Sequence, residues 1–253
     1  MIYFCRAFRV RQKSAACHGP RLLANEKKQR FAARDWSNCR FTCEMPRVRR
    51  VHSGGCMDFL PIRRALLSVT DKTGLPAFAK FLVDKGATLV STGGTFKALQ
   101  NANLPVTQVS DVTGFPEIMD GRVKTLHPKI HGGILADKDN PDHLAQLAVH
   151  GIETFDLICV NLYNFAEAVK KNLDLRASIE EIDIGGPCML RAAAKNFHSV
   201  LVVPHPQFYP GIKAALEANS GKAPLDIRQK MAAATFAATS AYDRMIADYL
   251  ECK

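Results

Sequence analysis

The residues whose side chains are best suited to binding or catalysis lie in one stretch, Gly121–Gly133. It contains one Arg, two Lys, one Thr, two His and three Gly. Its apolar residues follow neither a helical nor a strand period, so it is predicted to be a loop, with Pro128 preventing a helix from running through it. A cationic loop whose glycines let the backbone approach a ligand suits an anionic molecule. The alternative is a solvated surface loop, where most charge clusters are found.

Short apolar runs alternate with helical patterns along the rest of the chain. Strands are predicted at 65–69, 87–91, 105–109, 155–161 and 200–203. Helices are predicted from Leu75 to Lys85 with Thr73 as the cap, after Thr92–Thr95, and from Pro187 to Asn196; an Ala-rich helical segment follows Pro206. Strands and helices that alternate at this spacing indicate a parallel sheet with right-handed crossovers.

Ligands bind open parallel sheets beyond the carboxyl ends of the strands. Thr92–Thr95 follows a strand and opens a helix, where free N–H groups and the helix dipole favour a phosphate. The chain has neither a Walker pattern nor a G-x-G-x-x-G motif, so a phosphate monoester fits better than a nucleotide triphosphate or a dinucleotide. Four pieces are expected at this edge: 68–72, 92–95, 161–163 and the cationic stretch.

The formal charge of +10 belongs entirely to residues 1–57, which hold 13 Lys and Arg against 3 Asp and Glu. The remaining 196 residues carry 21 of each sign, so the charge does not indicate a nucleic-acid binder. The basic segment is predicted to be disordered and without catalytic residues. It is either a transit peptide or sequence before a true start at Met57, and the second interpretation is slightly favoured.

Cysteine and histidine spacing indicates neither a disulfide framework nor a metal site. Only three cysteines follow Met57, which favours a reducing compartment, and the Cys39/Cys43 pair has no partner pair. His127 and His131 have the spacing of a helical metal pair, but Pro128 argues against a helix and no carboxylate or Cys stands beside them. No apolar run is long enough to span a bilayer.

Several motifs together resemble one family, the N-terminal inosine monophosphate (IMP) cyclohydrolase domain of the bifunctional purine biosynthesis enzyme. The resemblance covers about residues 62–250 in unbroken order. It implies the methylglyoxal-synthase-like fold, a three-layer α/β/α arrangement around a mainly parallel sheet, followed by a helical C-terminal segment. The motifs are Leu67–Gly74, Ser91–Thr95, Thr113–Glu117, Gly121–Pro128, Asn161–Tyr163, Asp183–Gly186 and Arg191–Asn196.

The resemblance also implies a reaction, in which the carboxamide nitrogen of 5-formamidoimidazole-4-carboxamide ribotide attacks the formyl carbon, water leaves and IMP forms. Lys124 would act on the oxyanion and the departing water, Asp183 with Lys195 on the carboxamide, and Tyr163 would position the ring. Neither a metal nor a cofactor is expected. The family's substrate contacts match Ser68, Lys72, Thr92, Gly93, Gly94, Thr95, Arg122, Thr125 and Asn161.

The predicted organisation is a basic leader (1–57), the cyclohydrolase domain (58–204) and a helical segment (205–253) that leads to a formyltransferase domain absent from this sequence. Only that second domain would use 10-formyltetrahydrofolate. The expected protein is a cytosolic homodimer that binds a purine ribotide and neither nucleic acid nor membrane. Two alternatives on the same fold remain: a methylglyoxal synthase and a non-catalytic module that binds a phosphate effector.

Overall fold

The computed structural model describes residues 58–162, 165–170 and 173–252, without the side chains of Ala166, Ala168 and Val169. The predicted leader, 1–57, and Tyr163 lie outside the described residues. No helix within the described ranges is long and apolar enough to cross a bilayer.

The strands form a five-stranded parallel sheet of order β4-β3-β2-β5-β6 and a separate antiparallel pair, β1 with β7. The strands are β1 Phe59–Pro61, β2 Arg64–Ser68, β3 Thr88–Ser91, β4 Thr107–Gln108, β5 Leu157–Val160, β6 Leu201–Val203 and β7 Lys222–Pro224. The helices are α1 Leu75–Asp84, α2 Gly93–Asn101, α3 Val109–Thr113, α4 Pro128–Leu135, α5 Pro141–Val149, α6 Phe165–Lys170, α7 Leu175–Glu180, α8 Gly185–Lys195, α9 Tyr209–Ala218 and α10 Leu225–Glu251.

Each central strand buries both of its faces, which explains the continuous apolar runs in the sequence. Alternate residues enter two separate clusters: Leu67 and Cys159 face α1, α2 and α9, whereas Leu66 and Ile158 face α4, α8 and α10. The sheet therefore lies between two helical layers, and the predicted three-layer α/β/α fold with a helical C-terminal segment is confirmed.

The long helix α10 packs on this core through one stripe of its surface. The buried residues Arg228, Ala232, Thr235, Thr239 and Tyr242 recur at three- and four-residue intervals, which places them on one face. The buried guanidinium of Arg228 donates a hydrogen bond to the carbonyl of His198, in the turn before β6. Residues 225–251 thus complete the layer that also contains α8.

Four local predictions are wrong. The cationic stretch is a loop only as far as His127, because Pro128 is the first residue of α4, where proline needs no N–H partner. Gly74 rather than Thr73 is the N-cap of α1. The strand predicted at 105–109 is only β4, since Val109 already begins α3. The segment after Pro206 is not wholly helical, because β7 pairs with β1.

Candidate active site

Hydroxyl groups join the loops that follow β2 and β3. Ser68 Oγ and Thr92 Oγ1 are 2.9 Å apart. The Thr95 hydroxyl accepts a hydrogen bond from the Val69 N–H and donates one to the Val69 carbonyl, both at 2.9 Å. Thr95 is buried and its hydroxyl is already used in both directions. The hydroxyl is therefore occupied, and the phosphate contact predicted for Thr95 would come from its backbone in the first turn of α2.

Asn161 uses its amide to hold the loop after β2. Its Oδ1 accepts from the N–H groups of Thr70 at 2.7 Å and Asp71 at 3.1 Å, and its Nδ2 donates to the Asp71 carbonyl at 2.8 Å. The sequence predicts that Asn161 lies against the purine base. In the structure this buried side chain fixes the backbone that presents Lys72, and its contact with the base stays a prediction.

The start of α2 provides a place for an anion. Thr92 is the N-cap, and Gly93 begins the helix with φ of 45°, a left-handed conformation that glycine adopts readily. A Cβ on Gly94 would lie 3.9 Å from Lys72 Nζ, so the ammonium stands directly over the first turn. Backbone N–H groups, the helix dipole and a lysine charge act here together, as phosphate binding requires.

The loop that carries Lys124 begins as a tight hairpin. Ile118 and Val123 pair as an antiparallel bridge, and Met119, Asp120 and Gly121 between them have φ of 53°, 52° and 89°. Arg122, on the outside of this turn, forms an ion pair with Glu180 of α7. This ion pair joins the loop to α7, and the phosphate contact of Arg122 stays a prediction.

The same loop lies against the start of α8 because two glycines open that helix. A Cβ on Gly185 would come within 2.7 Å of Thr125 Oγ1, and one on Gly186 would collide with the carboxylate of Asp183. Asp183 Oδ1 accepts the Gly186 N–H at 2.9 Å, and the Asp183 N–H donates to the Tyr242 hydroxyl at 2.8 Å. Helices α8 and α10 therefore fix both the backbone and the side chain of Asp183.

The surroundings of Asp183 favour the uptake of a proton by its carboxyl group. Burial raises the pKa of its carboxyl above the ordinary value, and the Gly186 hydrogen bond and the positive charge of Lys124 partly oppose this rise. A carboxylate that is partly desolvated and faces a lysine is a frequent feature of catalytic sites.

Lys195 does not join this group within one chain. It is exposed and is the last residue of α8, whereas Asp183 precedes the first. Eleven residues of helix rise by about 16 Å. Its neighbour Asn196 donates to the carbonyls of Ile134 and Ala136, beyond the amino ends of the strands. The structure therefore brings Lys124, Thr125 and Asp183 together and leaves Lys195 at the opposite edge of the sheet.

A cleft of about 540 Å³ connects the start of α2 with the loop that carries Lys124, and its size is typical of small-molecule sites. It also contains residues to which the sequence assigned no role, among them Glu117 and Lys97. Glu117 lies within a motif of the family resemblance, which was the only available signal. The lining residues are Ser91, Thr92, Gly93, Gly94, Lys97, Gln108, Val109, Ser110, Phe115, Pro116, Glu117 and Lys124.

Two family models match the chain: the MGS-like domain at residues 74–188 and the AICARFT/IMPCHase bienzyme at residues 193–253. Bifunctional purine biosynthesis protein PurH of Rhodospirillum rubrum is 52% identical over 192 residues, which are 76% of this chain and 36% of that protein. PurH of Lacticaseibacillus casei is 56% identical over 191 residues, 75% of this chain and 37% of its own length. The chain belongs to the bifunctional purine biosynthesis family.

The chain is also similar to a solved structure. A crystal structure described as ForH matches with a TM-score of 0.67 and 33% sequence identity, over 75% of this chain and 97% of that chain. The chain spans little more than a third of the length of the PurH relatives that it matches. Members of this family take part in purine biosynthesis, and the predicted family and fold are confirmed.

Proposed function

We propose that this chain is an IMP cyclohydrolase, which closes the purine ring of 5-formamidoimidazole-4-carboxamide ribotide with loss of water. The observation that carries the proposal is the close approach of the Lys124–Thr125 loop to Asp183 at the start of α8. Lys124 also lines the cleft that reaches the phosphate-type helix start at Gly93. The bifunctional family has a second activity, the transfer of a formyl group from 10-formyltetrahydrofolate. We do not propose this second activity for the present sequence.

Lys124 would stabilise the charge that forms during ring closure. As the carboxamide nitrogen attacks the formyl carbon, negative charge grows on the formyl oxygen. An ammonium aimed at this oxygen binds the transition state more strongly than the substrate. The same oxygen then leaves as water, which takes one proton from the carboxamide nitrogen and one from the formamido nitrogen.

Asp183 would accept the carboxamide proton. Its raised pKa brings the carboxyl group nearer to the pH at which it must both take up and release a proton. The Gly186 hydrogen bond holds one carboxylate oxygen and leaves the other for the substrate. Tyr163 would position the ring, as the resemblance implies, and Lys195 would reach the site only from a second copy of the chain.

The phosphate of the ribotide would bind at the first turn of α2, below Lys72. This part of the substrate does not change in the reaction, so its contacts contribute to binding rather than to turnover. Orientation and proton transfer are sufficient for a ring closure of this kind. We therefore propose no metal or cofactor for the cyclisation, and we propose a cytosolic homodimer as the working form.

An assay with the purified protein tests the proposal directly. We expect the formamido ribotide to be converted to IMP, and the appearance of purine absorbance measures this conversion. Lys124→Ala should slow it. Lys213→Ala, at a partly buried lysine of α9 outside the cleft lining, is the matched control and should retain full activity.

Two other outcomes would reject the proposal. Release of inorganic phosphate from dihydroxyacetone phosphate, without ring closure of the ribotide, would indicate a methylglyoxal synthase. Binding of IMP by calorimetry with no turnover of either substrate would indicate a module that binds a phosphate effector.

A further inference from the structure

The hairpin before Lys124 places an unassigned carboxylate opposite it. The Ile118 N–H donates to the Val123 carbonyl at 3.2 Å, and the Val123 N–H donates to the Ile118 carbonyl at 3.4 Å. The next residues outward on the two arms are Glu117 and Lys124. In an antiparallel ladder this next pair has no mutual hydrogen bonds, and its side chains project on the same face with their Cα atoms about 4.5 Å apart.

Side-chain positions agree with this backbone register. A Cβ added to Gly121 would collide with the carboxylate of Glu117, and it would lie 3.6 Å from Lys124 Nζ. Both charged groups therefore approach the same point over the glycine, and both line the cleft. Opposite charges directly across an antiparallel pair attract each other.

Lys124 consequently has two carboxylates near it. Asp183 is close enough for the lysine charge to lower its pKa, and the Glu117 carboxylate approaches Lys124 Nζ over Gly121. Among the ion pairs of the described residues none includes Lys124. An ammonium bound tightly to Asp183 would be turned away from a substrate and would occupy the oxygen that must take up a proton.

We propose that Glu117 is a positioning residue for Lys124: its carboxylate, on the opposite arm of the hairpin, holds the ammonium over the cleft and away from Asp183. This inference rests on the proposed cyclohydrolase activity, since it concerns the geometry of the same site. The absent Cβ of Gly121 provides the space for the carboxylate. Glu117 acts on the reaction through Lys124 and does not itself touch the reacting atoms.

A double-mutant cycle tests the assignment in the full chain. Glu117→Gln should lower kcat roughly ten- to a hundredfold with little change in KM, because a small displacement of the reacting group is costly. In a Lys124→Ala background the same change should have almost no further effect. Glu117→Asp should restore part of the activity. Asp120→Asn, an exposed acid on the same turn outside the cleft lining, should leave kcat unchanged.

Crystal structures of the wild type and of Glu117→Gln give a readout that does not require activity. Lys124 Nζ should lie beside Gly121 in the wild type and should move onto the Asp183 carboxylate in the variant. An unmoved Nζ, additive effects in the cycle, or an equal loss in Asp120→Asn would each overturn the assignment. A wild type that fails to close the ring would reject the proposed function alone, since the position of Nζ still decides the role of Glu117.

Discussion

At the residue scale, Lys124 is the side chain on which the proposed reaction depends most. Loss of one donor to an oxyanion typically lowers turnover about a hundred- to a thousandfold. We expect this loss in kcat for Lys124→Ala, with only modest weakening of IMP binding by calorimetry. Lys124→Arg should restore little activity, because a planar guanidinium does not replace a compact ammonium. A variant with normal kcat and a raised KM would make Lys124 a phosphate ligand.

Asp183 allows stability and activity to be separated by an isosteric change. In Asp183→Asn the side-chain oxygen can still accept the Gly186 N–H, while the partly buried charge is removed. We expect a melting temperature equal to or above that of the wild type, and turnover lowered by about a hundredfold or more. Melting curves and steady-state kinetics of the same preparations check both parts. A large fall in melting temperature would show that the charge itself stabilises the fold.

The raised pKa of Asp183 also predicts a dependence on pH. The folded chain holds this proton more tightly than the unfolded chain, in which the Asp pKa is about 3.9. The free energy of unfolding of the wild type, relative to Asp183→Asn, should therefore fall as pH rises from that value through the raised pKa. Urea titrations of both proteins at pH values between the two pKa values measure this difference. A free energy of unfolding of the wild type that rises with pH relative to Asp183→Asn would contradict the prediction.

At the scale of elements, the start of α8 determines where the loop that carries Lys124 lies. A methyl group on Gly185 would come within 2.7 Å of Thr125 Oγ1. Gly185→Ala should therefore push the loop and α8 apart, lower the free energy of unfolding by about 1–3 kcal/mol and reduce turnover. Gly211→Ala in α9 is the control: a Cβ there meets nothing within 4 Å, and alanine should stabilise the helix by up to about 1 kcal/mol.

At the scale of the whole molecule, the two edges of the sheet have different roles. The carboxyl edge holds the candidate site. At the amino edge, the carboxylate of Asp156 links neighbouring segments of the chain. It accepts hydrogen bonds from the N–H groups of Arg63 and Arg64 at 2.8 and 2.9 Å, and it forms an ion pair with Lys138. Burial lowers the pKa of Lys138, and the negative charge of Asp156 partly opposes this effect.

Asp156→Ala should leave Lys138 buried without its charge partner and lower the free energy of unfolding by about 3–5 kcal/mol. Below the melting temperature, kcat and KM should remain near normal, because the site lies at the other edge. Asp84→Ala, which removes the exposed pair with Lys80, is the matched control and should change the free energy by no more than about 1 kcal/mol. Urea unfolding measures both, and equal losses would show that the amino edge does not depend on Asp156.

The sequence by itself determined the order of the five parallel strands along the chain and the parallel sheet, and it predicted the edge at which the candidate site lies. These features follow from local periodicity, since the buried strands read as apolar runs and Thr92–Thr95 has the composition of a helix start. It did not reveal β1 and β7, because three-residue strands have too few positions to show a period. The prediction for Pro128 was also wrong, because proline interrupts a helix that continues through it but is well tolerated where a helix begins.

Only the tertiary structure decided which side chains act together. Asn161 and Thr95 have the residue types of ligand contacts, and the structure shows that they also hold backbone that is distant in sequence. Lys195 is close to Asp183 along the chain, yet one helix length separates them. The approach of Glu117 and Lys124 to the same point over Gly121 depends on left-handed Met119 and Asp120, a conformation that non-glycine side chains rarely adopt. Such contacts depend on packing between distant segments, which no local pattern encodes.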